Sequence, residues 1–181
     1  NRGEIAIRIV RAGRALGMHT VAIHSEDDAA CLHVREADEV HALSGSGPSA
    51  YLDIDGVIDA ARATGCTLIH PGYGFLSENA DFARRCETEG ITFVGPEAKT
   101  IEFFGDKGRA RAFAEEHDVP FLPGISSAVT VEEAQTFFES LDDGTSMMIK
   151  AIGGGGGRGM RVVHGLEDVE SAYAQCVSEA Q

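Results

Sequence analysis

The sequence predicts an α/β chain: a parallel sheet wound with helices and lacking its first strand, then part of a flap unit. Three observations carry this. A cycle of amphipathic helix, glycine and short β-rich run occurs three times before residue 95. Chain breakers bunch between residues 95 and 124. Five consecutive glycines at 153–157 separate two further β-rich runs.

The elements follow in order. Ile5, Ile9, Ala12 and Leu16 recur at helical spacing, and Gly17 is a stop. Residues 20–24, TVAIH, then read as a buried strand. The second cycle places Val57, Ile58 and Ala61 on a helix, Gly65 at its end and a strand at 67–70. The third has Phe82, Ala83 and Cys86 on a helix, then Gly90 and a strand at 91–94. The chain opens in what reads as the loop before a helix. Such a helix normally crosses over between two parallel strands, so a leading strand is expected before residue 1. Gly95, Pro96, Pro120 and Gly124 flank a helix carrying Ala110, Phe113 and Ala114. Beyond it, Val131, Ala134, Phe137, Phe138 and Leu141 form a helix face. Strands are expected at 147–151 and 160–163, with the glycine loop 153–159 between them. A last helix carries Leu166, Val169, Ala172, Tyr173 and Cys176, and the sequence stops within it. The expected division is an α/β domain at 1–95, a connecting helical region at 96–124 and a partial flap subdomain at 125–181.

Composition narrows the function. Lys plus Arg is 15 against 29 Asp plus Glu, a net charge of −14. That balance opposes nonspecific binding to nucleic acid or anionic membrane. No apolar run reaches the length of a membrane helix, and no signal peptide is evident. The expected compartment is the cytoplasm or an organelle matrix. Cys31, Cys66, Cys86 and Cys176 make no C-x-x-C pair, so they read as reduced thiols, not zinc ligands.

The strongest feature is 149–160, IKAIGGGGGRGM. Consecutive glycines leave N–H groups uncovered and able to wrap phosphate oxygens, and Arg158 adds a cation. The run lacks the Lys-Ser or Lys-Thr of a Walker A loop. It leads into a strand where a dinucleotide fingerprint opens a helix. Alternation puts Met147 and Ile149 on one strand face, Met148 and Lys150 on the other. Lys150 then projects into whatever the flap covers. Further upstream, 70–79, HPGYGFLSEN, follows the C-terminal end of a strand, where ligands of wound sheets sit. Within it, Glu78 also fits a first-turn carboxylate of the next helix with Ser77 as N-cap. His70 reads as a satisfied strand-end histidine. Lys107 follows Gly105 and Asp106 at a helix start, where the dipole adds to an anion site.

Together 1–6 (NRGEIA), 70–79, 104–107 (FGDK) and 150–161 (KAIGGGGGRGMR) resemble the biotin carboxylases of the ATP-grasp family. The resemblance implies a Rossmann-like pre-ATP-grasp sheet and part of an ATP-grasp flap subdomain. It implies nucleotide contacts from Lys107, Lys150, Gly155, Gly156, Gly157 and Met160. Tyr73 and Glu78 would face the bicarbonate and biotin end. The implied cofactors are ATP, Mg2+ and carrier-bound biotin. The implied partners are a biotin carboxyl carrier domain, a carboxyltransferase and a second copy, met through the face carrying Arg8 and Arg11. The family's magnesium ligands, its base toward bicarbonate and its enolate-steadying arginine find no counterpart in 1–181, so no metal site and no complete catalytic set is assigned. The fragment alone is expected to be inactive. Two rival readings stay open: another ATP-grasp ligase, which should lack the 70–79 signature, and a noncatalytic nucleotide-binding module.

Overall fold

The computed structural model describes residues 1–125, 127–151 and 159–179. They fall into two compact units, residues 1–110 and 111–181.

The first unit holds α1 (Gly3–Ala15), β1 (Val21–His24), α2 (Leu32–Glu36), β2 (Glu39–Ala42), α3 (Ile54–Ala63), β3 (Leu68–Ile69), α4 (Ala80–Thr88), β4 (Thr92–Phe93) and α5 (Ala98–Gly105). Its strands form two parallel pairs, β1–β2 and β3–β4. The parallel pairing agrees with the helix–glycine–strand rhythm. Gly17, Gly65 and Gly90, read as helix stops, sit at φ 72°, 66° and 70°. That left-handed geometry ends a helix without Cβ strain. Three elements of this unit were not expected from the sequence: α2, β2 and α5, the region 96–124 having been read as carrying one helix. β2 is largely exposed and polar, and α2 is only five residues long. The start of β1 is clipped to β2 by Asp38, which accepts from the Thr20 N–H (2.9 Å) and from Arg14 (2.8 Å).

The core of this unit is built by α3 and α4. Val57, Ile58, Ala60 and Ala61 meet Phe82, Cys86 and Ile91, with Leu43, Tyr51 and Leu76 closing one side. Phe82 stands edge-on to Phe93 at 5.8 Å. Burial of each such side chain contributes roughly 1.5–3 kcal/mol. An apolar groove of about 760 Å³ runs between the strand pairs, lined by β1, β3, α1 and α3. Among the described residues β1 pairs only with β2, and β3 only with β4.

α6 (Lys107–Glu116) spans the unit boundary. The second unit continues with α7 (Val131–Glu139), β5 (Met147–Lys150), β6 (Met160–Val163) and α8 (Val169–Glu179). A capping box of Thr130 and Glu133 starts α7. β5 and β6 are antiparallel, as strand–loop–strand requires. Ala134, Met147, Val163, Val169 and Ala172 form the core, with Phe137, Phe138 and Leu141 against it. Asp142 lies in a helix-to-strand turn, its carbonyl accepting from the Thr145 N–H at 3.0 Å. All four cysteines are free, with Cys86 and Cys176 buried.

Candidate functional site

The loop after β3 is shaped by two glycines. Gly72 and Gly74 take φ 74° and 61°, where a side chain would be strained. Gly72 also lies so close to Asn1 that a Cβ would sit 2.9 Å from its Nδ2. The Gly72 N–H donates to His70 Nδ1 at 3.1 Å, so that ring nitrogen shapes the turn. Tyr73 is 66% exposed, and its carbonyl accepts from the Asn1 side chain. A 3-10 turn, Phe75–Glu78, follows. The N-cap of α4 is Asn79, whose Oδ1 accepts from the Phe82 N–H at 2.9 Å. This corrects the expectation for Ser77. That residue lies inside the 3-10 turn, its N–H bonded to the Gly74 carbonyl at 2.9 Å. Glu78 is exposed at the end of the turn and immediately precedes the Asn79 cap, so it lies outside the first turn of α4.

Lys107 is the exposed first residue of α6. The expected helix start is present, with Asp106 as its cap. Its Oδ1 accepts from the Gly108 and Arg109 N–H groups at 2.9 and 3.0 Å. Two amides of the helix end are therefore occupied. Lys107 and Arg109 both put positive charge at this end of α6.

In the second unit, register decides the layout. Lys150 stands opposite Met160, and Met148 opposite Val162. Directly opposed residues of an antiparallel pair share a face. Lys150, Met160, Met148 and Val162 thus line one side of the hairpin. Met148 is 46% and Val162 50% exposed. The other side, Met147, Ile149, Arg161 and Val163, faces α8, where Arg161 bonds Gln175 (3.1 Å) and Glu179. The outer side is a small apolar platform with a lysine at its end. Chemically it can hold a flat apolar group beside an anionic one. Met148 and Val162 were not singled out by sequence, although the alternation that placed Lys150 also places Met148. Gly155, Gly156, Gly157 and Arg158 lie outside the described residues. Among the described residues no group of three or more His, Cys, Asp or Glu side chains is arranged to hold a metal ion.

Comparison with known proteins gives two family matches. Residues 1–101 match the biotin carboxylase N-terminal domain, and residues 106–181 match the carbamoyl-phosphate synthase L chain ATP binding domain. Pyruvate carboxylase of Bacillus subtilis is 49% identical over the whole chain, which spans 16% of that protein. Biotin carboxylase of Haemophilus influenzae is 48% identical, and the chain spans 41% of it. Among solved structures, the biotin carboxylase domain dimer of Hydrogenobacter thermophilus 2-oxoglutarate carboxylase, with MgADP, ADP and bicarbonate, superposes with a TM-score of 0.91. It is 41% identical over 99% of this chain and 40% of that one. The chain covers less than half of each of these relatives. With a wound parallel unit ahead of a glycine-linked hairpin, and family matches to both, the chain belongs to the biotin carboxylase family.

Proposed function

We propose that residues 1–181 form the front of a biotin carboxylase, one that carboxylates carrier-bound biotin with ATP and bicarbonate. The observation that carries the reading is the exposed hairpin side on which Lys150 and Met160 stand in register, joined by the glycine-rich segment. An adenine ring suits the apolar platform of Met160, Met148 and Val162. The ammoniums of Lys150 and Lys107 neutralise phosphate charge, a need that grows in a chain of net charge −14. Gly155, Gly156 and Gly157 are proposed as N–H donors to the phosphates. Tyr73 and Glu78 are assigned to the bicarbonate and biotin end. ATP supplies the phosphoryl group that activates bicarbonate.

Mg2+ is implied by this chemistry, and among the described residues no cluster of three or more His, Cys, Asp or Glu side chains is arranged to hold it. Phosphoryl transfer depends on bridging metal ions and in-line geometry. That is the ground for proposing that residues 1–181 alone do not turn over. The proposed division remains 1–95, 96–124 and 125–181. A carrier domain, a carboxyltransferase and a second copy are the proposed partners. The proposed compartment is the cytoplasm or an organelle matrix, and among the described residues no helix is long and apolar enough to cross a membrane.

The test is nucleotide binding by calorimetry. Loss of two or three charge-assisted hydrogen bonds at roughly 1.5–3 kcal/mol each costs several tenfold steps in affinity, so binding by 1–181 is expected to be weak. Lys150→Ala should abolish it. In the intact carboxylase the same substitution should cripple biotin carboxylation and spare carboxyl transfer. Bicarbonate- and biotin-dependent ATP hydrolysis by residues 1–181 would contradict the inactivity, and normal biotin carboxylation by the intact variant would remove Lys150 from the site.

A further inference from the structure

We infer that Arg2, Asp28 and Tyr51 form a strut, buried at Asp28 and Tyr51 and half-buried at Arg2, that positions the 70–79 loop, and through it Tyr73 and Glu78. The inference rests on the reading of those two residues as substrate-facing. Four stretches far apart in sequence converge here. Asp28 Oδ2 accepts from both the Arg2 guanidinium (2.8 Å) and the Tyr51 hydroxyl (2.7 Å). Its Oδ1 accepts from the Cys31 thiol at 3.3 Å. The Tyr51 oxygen also accepts from the Ser25 N–H at 3.2 Å. Tyr51 is 2% exposed, so its ring is fixed at the hydroxyl end and packed along its length.

The strut reaches the loop at two points. The Tyr51 ring meets Phe75 edge-on at 5.7 Å, and Leu76 joins the same core cluster. Phe75 sits at φ 50°, a region that aromatic residues occupy only when their surroundings enforce it. At the other point, residues 1 and 2 act together. The Arg2 N–H donates to Asn1 Oδ1 at 2.8 Å, and the Asn1 amide donates to the Tyr73 carbonyl. The guanidinium of Arg2 lies 5.9 Å from the Tyr51 ring centre. One arginine thus bridges the two grips.

Stability alone does not call for an ionic group here. An apolar filling of the same volume commonly matches or exceeds a buried ion pair, whereas a charge with hydrogen bonds in fixed directions specifies orientation. Burial pushes the Asp28 carboxyl up, but the Tyr51 hydroxyl, the Cys31 thiol and Arg2 outweigh it and hold it below its ordinary value. The carboxylate is therefore charged at neutral pH, as a strut of this kind needs.

Tyr51→Phe keeps the ring and removes the hydroxyl; Asp28→Asn keeps the shape and removes the charge. Amide hydrogen exchange of residues 72–79 is expected to quicken about fivefold in both, the effect of one net hydrogen bond, with α3 and β1 unchanged. In the intact carboxylase, KM for bicarbonate should rise several-fold while KM for ATP stays constant. Should Tyr51→Phe fail to fold, Arg2→Lys, which keeps the charge but not the fork, should quicken loop exchange less than Arg2→Ala. Unchanged loop exchange, or acceleration spread evenly over residues 1–110, overturns the inference. A different variant separates it from the reading beneath it. If Glu78→Gln leaves bicarbonate and biotin kinetics untouched while Tyr51→Phe still loosens the loop, the strut stands and the substrate-facing role of Glu78 falls.

Discussion

Replacing Asn79 with alanine isolates the hinge between the 70–79 loop and the core. The Asn79 side chain satisfies the Phe82 N–H at 2.9 Å, and α4 carries Phe82, Ala83 and Cys86 into the interior. An Asn-to-Ala change at an N-cap costs about 1 kcal/mol, within a range of roughly 0.5–2. For a unit of 110 residues, an unfolding entropy of about 2.1 cal/mol/K per residue converts this to a fall of about 4 °C in Tm. Asn79→Asp retains an acceptor and should fall by less than half as much. Ser77→Ala, inside the 3-10 turn, should move Tm by under about 2 °C, as substitutions away from caps and cores do. Differential scanning calorimetry of the three variants decides. Equal shifts for Ser77→Ala and Asn79→Ala, or an Asp variant as damaged as the Ala variant, would refute the cap assignment.

Three further outcomes are expected. Burial lowers the His33 imidazole below its ordinary value, so the folded state binds fewer protons than the unfolded one as pH falls below about 6.5. Stability should be full above that point and decline below it, and His33→Gln should flatten this part of the Tm-against-pH curve; an unchanged slope contradicts the argument. Burial raises the Cys86 thiol to about 11 and also raises Cys176, so both should resist iodoacetamide in the native state and react after urea unfolding, read by mass spectrometry. Arg8→Glu with Arg11→Glu should shift a dimeric starting protein toward monomer in sedimentation at matched concentration; no shift places the interface elsewhere.

The sequence carried the parts of the fold that depend on local chemistry. Gly17, Gly65 and Gly90 ended helices because only left-handed geometry turns the chain there, and periodicity placed the faces of α3 and α4 that became the core; on α1 it missed, since Ala6 and Val10 are the buried residues while Ala12 and Leu16 of the expected stripe are exposed. It did not reveal β2, since the alternation of Val40 and Ala42 with Glu39 and His41 runs for only four largely exposed residues, which are held by pairing to β1. The cap of α4 was misplaced by two residues. Ser77 and Asn79 are both good caps, and only the 3-10 turn, with Phe75 at φ 50°, decides between them. On the hairpin, strand alternation placed Lys150 opposite in face to Met147, which matches the burial of β5. The Arg2, Asp28 and Tyr51 cluster left no mark in the sequence. Its members are 26 and 23 residues apart, and no spacing rule links them.

The groove between β1 and β3 has a consequence for handling the protein. Among the described residues β1 pairs with β2 and β3 with β4, and an apolar slot lies beside them, in a unit where a further strand was expected ahead of α1. A strand with a free edge is a template on which another chain can add, and natural sheets guard such edges with charges, prolines or a covering element. In residues 1–181 taken alone the flanking residues include Val21, Ile23, Leu68 and Ile69, with Arg8 the cation among them. Colloidal behaviour then follows from two opposed terms: a net charge of −14 keeps copies apart, and the slot rewards their contact. Added salt screens the first and leaves the second, so ionic strength sets how far concentrated solutions of this chain stay dispersed.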